Sequence, residues 1–311
     1  MIDWDFVKEI ILTILAFYYY LLDGIIRAIL PGCFYAKDVA GETVLITGSG
    51  SGIGRELALR FAKLGCRMVL WDVNVPGNDA TAKAIKELGG SCYQYKVDLG
   101  NKDEIYETAR KVNEDIGMVH ILINNAGIVT GRKFLECPDE LIEKTIDVNT
   151  MAHFWTVKAF LPAMIKENHG HVVTVASAAG LLGVNSLTDY CASKFAVVGF
   201  EESLRFELEV LGKDGVHTTV VCPFYINTGM FNGVKVRFPY LMPILEPGYV
   251  SDKIVEAVRC NTHILYIPRL LYYTLGLKGI LPHKCISLLA RFFGVSTDME
   301  KFKGKLGQKK E

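Results

Sequence analysis

An α/β fold, a doubly wound parallel seven-stranded sheet, is predicted by three features of this sequence. Between about residues 41 and 267, short β-branched runs alternate with longer amphipathic stretches, the pattern of a parallel sheet covered by helices on both faces. A glycine-rich turn, Thr47-Gly48-Ser49-Gly50-Ser51-Gly52-Ile53-Gly54, follows the first such run and opens a helix. An acidic residue, Asp72, ends the second run about 20 residues beyond that turn.

Taken in order, the apolar run 43–46 is the first strand, and the stretch 55–64 after the glycines is the first helix. Strand 67–71 and helix 78–88 follow, then strand 93–97 and helix 102–115, then strand 119–123 and one long helix over 138–166. Strand 171–175 leads to helix 187–211, strand 217–221 to helix 249–259, and strand 264–267 completes the sheet. Residues 229–248, rich in Pro, Gly and bulky apolar side chains, read as an extended insertion after the sixth strand.

Composition narrows the function. The 311 residues carry 34 basic and 34 acidic side chains, so no basic field exists to attract nucleic acid. Half of the residues are hydrophobic, which points to a membrane or a greasy ligand. The 8 cysteines are scattered without metal-ligand spacing and read as free thiols in a reducing compartment, with no metal site.

The apolar excess lies at the ends. Residues 10–22 carry no charge, and only Asp23 and Arg27 interrupt the apolar run before Pro31 and Gly32. A span needs about 20 apolar residues, so residues 1–32 read as a membrane anchor that either crosses the bilayer or lies in its interface. The acidic flank Asp3, Asp5 and Glu9 is unlike a secretory signal. If the segment spans, Arg27 and Lys37 outweigh Lys8 and place the following domain in the cytosol. Residues 41–267 form the nucleotide-binding domain. Residues 268–311 form an apolar, membrane-proximal extension whose tail, with Lys301, Lys303, Lys305, Lys309 and Lys310, suits either anionic head groups or plain solvent.

The glycine turn lets backbone approach a pyrophosphate while the helix N-terminus offers open N–H groups and a positive dipole end. Asp72 accepts from adenosine ribose hydroxyls and repels a 2′-phosphate, which favours NAD over NADP. Tyr190 and Lys194 stand one helical turn apart, so the ammonium is expected to lie beside the phenol and favour its ionised form. Ser177 follows the fifth strand at its C-terminal end, where such sheets place their ligands. His153, beside Phe154 and Trp155, reads as structural.

The glycine turn, Asn124-Asn125-Ala126-Gly127, Ser177 and Tyr190-x-x-x-Lys194 together resemble the short-chain dehydrogenase/reductase family, a Rossmann-type fold, over roughly residues 41–267. The segments 127–131, 134–140 and 222–231 resemble its membrane-bound retinol dehydrogenase branch, which has 17β-hydroxysteroid dehydrogenase relatives. The resemblance implies a catalytic set of Asn149, Ser177, Tyr190 and Lys194, with Ser177 and Tyr190 on the substrate oxygen and Asn149 holding a water that relays protons from Lys194. It implies cofactor contacts from Thr47, Gly48, Ser51, Gly52, Ile53, Gly54, Asp72, Asp98, Asn125, Ala126, Gly127, Tyr190, Lys194, Pro223 and Thr228, with Asp98 on adenine and Thr228 on the nicotinamide carboxamide. One departure is visible: Pro223 is followed by Phe224 where the family commonly has glycine.

The implied activity is NAD-dependent oxidation of a lipophilic alcohol, all-trans-retinol to all-trans-retinal, at the cytosolic face of the endoplasmic reticulum membrane or on lipid droplets. A 17β-hydroxysteroid or another lipid alcohol is the alternative substrate. The family also implies a homodimer. The expected apolar substrate wall is Leu181, Leu182, Val184, Phe224, Tyr225, Met230, Phe231, Leu241 and Met242. A reading of another class, a membrane or lipid-droplet protein with a vestigial site, is opposed by the intact four-residue set.

Overall fold

A computed structural model describes residues 3–30, 32–295, 299 and 302. Lys301, Lys303, Lys305, Lys309 and Lys310 of the basic tail lie outside the described residues. By packing, the chain divides into two compact units, Met1–Asp38 and Val39–Glu311.

In the first unit, α1 (Trp4–Ile29) is capped by the Asp3 carboxylate, which accepts from the N–H groups of Asp5 and Phe6 at 3.0 and 3.3 Å. Its apolar stretch is long enough to cross a membrane. At 26 residues the helix is about 39 Å long, against a hydrocarbon core of about 30 Å. The two charges that interrupt it answer each other: Arg27 Nε donates to Asp23 Oδ2 at 2.7 Å, one turn away.

The second unit holds seven parallel strands in the order β3-β2-β1-β4-β5-β6-β7. They are β1 (Thr43–Thr47), β2 (Arg67–Asp72), β3 (Cys92–Lys96), β4 (Ile121–Asn124), β5 (Gly170–Val175), β6 (Val216–Pro223) and β7 (Ile264–Ile267). Around them run α2 (Gly52–Lys63), α3 (Val75–Glu87), α4 (Lys102–Asp115), α5 (Asp139–Ile146), α6 (Ala152–Glu167), α7 (Thr188–Val210) and α8 (Pro247–Arg259). Successive strand residues part to opposite faces. Val44 and Ile46 join Leu57 and Phe61 of α2, Ile85 of α3 and Ile254 of α8, whereas Leu45 and Trp71 join Ile105 of α4, Phe160 of α6 and Leu208 of α7. Each such fully buried side chain contributes about 1.5–3 kcal/mol, so two complete cores hold the sheet between its helices. The edge strand β3 has largely open faces.

The single helix expected over 138–166 is broken. Between α5 and α6, residues Asp147–Met151 form a π turn, closed by the Ala152 N–H donating to the Asp147 carbonyl. The reason is lateral: Asn149 and Thr150 are held by bonds to the neighbouring Ile128 and Ser193, and the turn widens to let them reach. The helix after the glycine turn starts at Gly52 rather than at residue 55, so the glycines themselves form its first turn. Of the expected insertion 229–248, residues 229–246 run outside helix and strand before α8 begins, tied back where Leu245 N–H donates to the Tyr225 carbonyl at 2.8 Å and Asn227 N–H to the Leu245 carbonyl at 2.9 Å. After β7 come α9 (Leu270–Ile280) and α10 (His283–Phe293). Arg237 of the insertion donates to the Phe292 carbonyl of α10 at 2.8 Å.

Candidate active site

The C-terminal ends of β1, β2, β4, β5 and β6 open onto one cleft of about 550 Å³, within the size of small-molecule and cofactor sites. Its lining includes Asp72 and Asp98, then Gly48, Ser51, Gly52, Ile53, Asn125, Ala126, Gly127, Pro223 and Thr228, and also Ser177, Tyr190 and Lys194. All of these were expected at a cofactor or substrate.

Two glycines explain the turn. Gly52 sits at φ +54°, where L side chains are strained, and an added Cβ would also press on Thr228 Cγ2 at 3.1 Å. At Gly54 a Cβ would fall 2.1 Å from the Gly48 carbonyl oxygen, so helix α2 and the turn can close only without it. Ser51, the residue that precedes α2, makes no side-chain cap, which leaves the first amides of the helix directed at the cleft. Asp72 Oδ2 accepts from Gly50 N–H at 2.7 Å and Oδ1 from Asn74 N–H at 2.7 Å, fixing the carboxylate at the cleft edge. A turn that excludes Cβ atoms, open helix amides and a fixed acceptor at the end of β2 fit a dinucleotide.

Thr47 and Gly54, expected at the cofactor, and Asn149, expected to hold a proton-relaying water, do not themselves line the cleft. Thr47 Oγ1 accepts from Asn125 and Ala126 N–H at 3.0 and 3.1 Å, and Asn125 Nδ2 donates to the Thr47 carbonyl at 2.9 Å, so these residues lock the glycine turn to β4. Asn149, wholly buried, accepts from Ile128 N–H at 2.8 Å and donates to the Ile128 carbonyl at 2.9 Å and to Ser193 Oγ at 3.1 Å. Its side chain is a clamp on the chain after Gly127.

At the reactive end, Tyr190 is buried and its phenol hydrogen-bonds with Ser177. Ser177 Oγ also accepts from Ala179 N–H at 3.1 Å, capping a short 3-10 turn. Lys194 donates to the Val175 carbonyl at 2.9 Å, and its Nζ stands 5.8 Å from the centre of the Tyr190 ring. In the protein alone this ammonium does not set the phenol's net shift. Burial dominates both groups: it pushes the Tyr190 phenol up to about 12, against a smaller lowering by the Ser177 bond, and brings Lys194 down to about 8. His153 is brought down to about 3, first by burial and then by the Lys194 charge, and stays neutral.

Of the expected apolar wall, Phe224, Met230 and Phe231 line the cleft. Val184 and Tyr225 pack in the same cluster behind them. Leu181 turns to a separate core with Ala176, Val197 and Val220, Leu241 is exposed, and Leu182 and Met242 do not line the cleft. Sequence reasoning missed Leu141 and Lys144 of α5 and Val148 of the π turn, which also line the cleft. The only advance signal was the three-residue spacing of Leu141 and Lys144 on one helix face.

Comparison with known proteins agrees with this geometry. Residues 42–236 match the short chain dehydrogenase family. Human epidermal retinol dehydrogenase 2 is 53% identical over 283 residues, covering 91% of each chain, and retinol dehydrogenase 10-B of Xenopus laevis is 43% identical over 294 residues, covering 86% of each. A short chain dehydrogenase/reductase from Burkholderia phymatum, solved in complex with NAD, superposes with a TM-score of 0.71 at 28% identity over 81% of this chain and 96% of its own. A metagenomic short-chain oxidoreductase in complex with NADP gives 0.62 at 26% identity over 74% and 97%. With its seven-stranded sheet, glycine turn and Tyr190–Lys194 pair, the chain belongs to the short-chain dehydrogenase/reductase family of oxidoreductases.

Proposed function

We propose that this protein oxidises all-trans-retinol to all-trans-retinal with NAD as acceptor. The observation that carries the reading is the Ser177–Tyr190–Lys194 group at the apolar end of a dinucleotide-shaped cleft, in a chain 53% identical to a retinol dehydrogenase. The apolar side chains of Phe224, Met230 and Phe231 beside that group suit a polyene and offer nothing to a sugar or a carboxylate.

A nicotinamide cofactor, held by the glycine turn, Asp72 and Thr228, would supply the hydride acceptor for the carbinol carbon. Ser177 Oγ, already bonded to the phenol, holds the alcohol oxygen within reach of it. Tyr190 takes the hydroxyl proton as its general base, and in the reverse direction its protonated phenol, the form that burial favours, donates to the carbonyl oxygen. Lys194 supplies charge near the phenol, held by the Val175 carbonyl, and Asn149 keeps the Gly127–Ile128 backbone against it. Proton and hydride leave the alcohol together as two electrons and two hydrogens, giving the aldehyde.

Preference for NAD rests on Asp72, whose fixed carboxylate repels a 2′-phosphate. Residence in the endoplasmic reticulum membrane, domain to the cytosol, rests on α1 and on the Arg27 and Lys37 flank. A homodimer through α6 and α7 rests on their exposed Phe154, Phe206 and Val210. The test is retinal formation by membranes bearing the protein, given retinol and NAD. Product no greater than from a Tyr190→Phe control removes the proposal.

A further inference from the structure

We infer that Phe302, near the C-terminal end of the chain, is a specificity-determining residue. It is seated in a notch left by Gly131, where it backs the aromatic wall of the alcohol pocket and sets the size of alcohol that fits.

The inference rests on the functional reading above for the reaction and on the following geometry for the residue. Gly131 sits at φ +64°, and a Cβ built on it would fall 2.0 Å from Phe302 Cε1 and 2.3 Å from Cδ1. The ring therefore occupies the space where any other residue's side chain would begin. The loop that presents the notch is fixed from two sides: Asn149 holds Ile128, and Thr130 Oγ1 donates to the buried Asp189 Oδ2 at 2.7 Å at the start of α7. Phe302 N–H donates to the Met299 carbonyl at 3.0 Å, and Met299 is itself buried among the side chains that surround Tyr190.

The rings form a continuous path to the reacting group. Phe302 lies 6.3 Å from Phe231, centre to centre, and Phe231 lies 5.9 Å from Tyr190 in an edge-to-face pair. Phe231 lines the cleft and Phe302 does not, so Phe302 acts by holding Phe231 in place. A long apolar alcohol with its hydroxyl at Tyr190 must extend along Phe231. A short alcohol does not need that wall, and the consequence is a difference in selectivity rather than in chemistry.

The test compares kcat/KM for retinol and for a six-carbon primary alcohol in the full-length, detergent-solubilised protein. Phe302→Ala is expected to lower the retinol-to-hexanol ratio roughly tenfold, through KM for retinol, with Phe302→Leu between the two. Gly131→Ala, which must expel the ring, is expected to lower the ratio in the natural background and to add little in the Phe302→Ala background. Ratios equal in all variants overturn the inference. If Phe302→Ala is recovered only as aggregate, the Leu variant and Gly131→Ala carry the same comparison, and an unchanged ratio in both overturns it. Failure of the natural protein to oxidise either alcohol sinks the functional reading instead, so the two failures are distinct.

Discussion

Replacing Asn149 by Leu tests whether this residue is a clamp. The leucine matches the shape but removes a bond from Ile128 N–H, a bond to the Ile128 carbonyl and a bond to Ser193 Oγ. Ser193 keeps its own donation to the Tyr190 carbonyl at 2.7 Å, so the loss falls on the two backbone groups of Ile128. Each polar group left unpaired in a partly buried setting costs about 1–2 kcal/mol, or about 2–4 kcal/mol for the pair. For domains of comparable size, about 2–4 °C of melting temperature goes with each kcal/mol, which predicts a fall of roughly 4–16 °C. Because the Gly127 backbone packs against both Asn149 and Lys194, retinol turnover should fall as well. Asn149→Asp, which still accepts from Ile128 N–H but repels its carbonyl, should melt no higher than the natural protein. Melting of the solubilised full chain, followed by intrinsic fluorescence, is the assay. A leucine variant within about 1 °C of the natural protein would refute the clamp and leave the solvent-relay role as the sole account of Asn149.

Gly54→Ala should abolish nucleotide binding in a calorimetric titration, because its Cβ would collide with backbone that cannot move aside, and near-natural affinity would contradict the close approach. Asp72→Ser should shift the NAD to NADP ratio of kcat/KM towards NADP by roughly tenfold or more, and an unchanged ratio would remove Asp72 from cofactor choice. Lys194 has its folded pKa brought from 10.5 down to about 8, so between those values the unfolded chain binds the extra proton and stability rises with pH. Denaturant melts of the nucleotide-free protein from pH 8 to 10 should therefore show the natural protein gaining on Lys194→Met, and a constant difference would contradict the buried charge. Glu201 moves the other way. Burial raises its carboxyl from 4.5 to about 7, so stability falls as pH rises through that window, and Glu201→Gln should raise the melting temperature at pH 8 but not at pH 4.5.

The sequence alone determined what local rules control. Parallel strands buried on both faces write themselves as continuous apolar runs, and a tight phosphate turn must contain glycine, so the sheet, the turn and the Tyr190–Lys194 spacing were legible. Tertiary structure decided what depends on neighbours distant in the chain. The helix expected over residues 138–166 splits because Asn149 must reach Ile128 and Ser193. Leu181 and Leu241 read as pocket residues from their places after the fifth and sixth strands, but apolarity does not specify which surface a side chain covers. The spacing of Tyr190 and Lys194 announced a meeting of phenol and amine, yet their protonation follows from burial, which no local pattern encodes. Gly131 and Phe302, 171 positions apart, meet only because the fold brings Phe302 to the loop after β4.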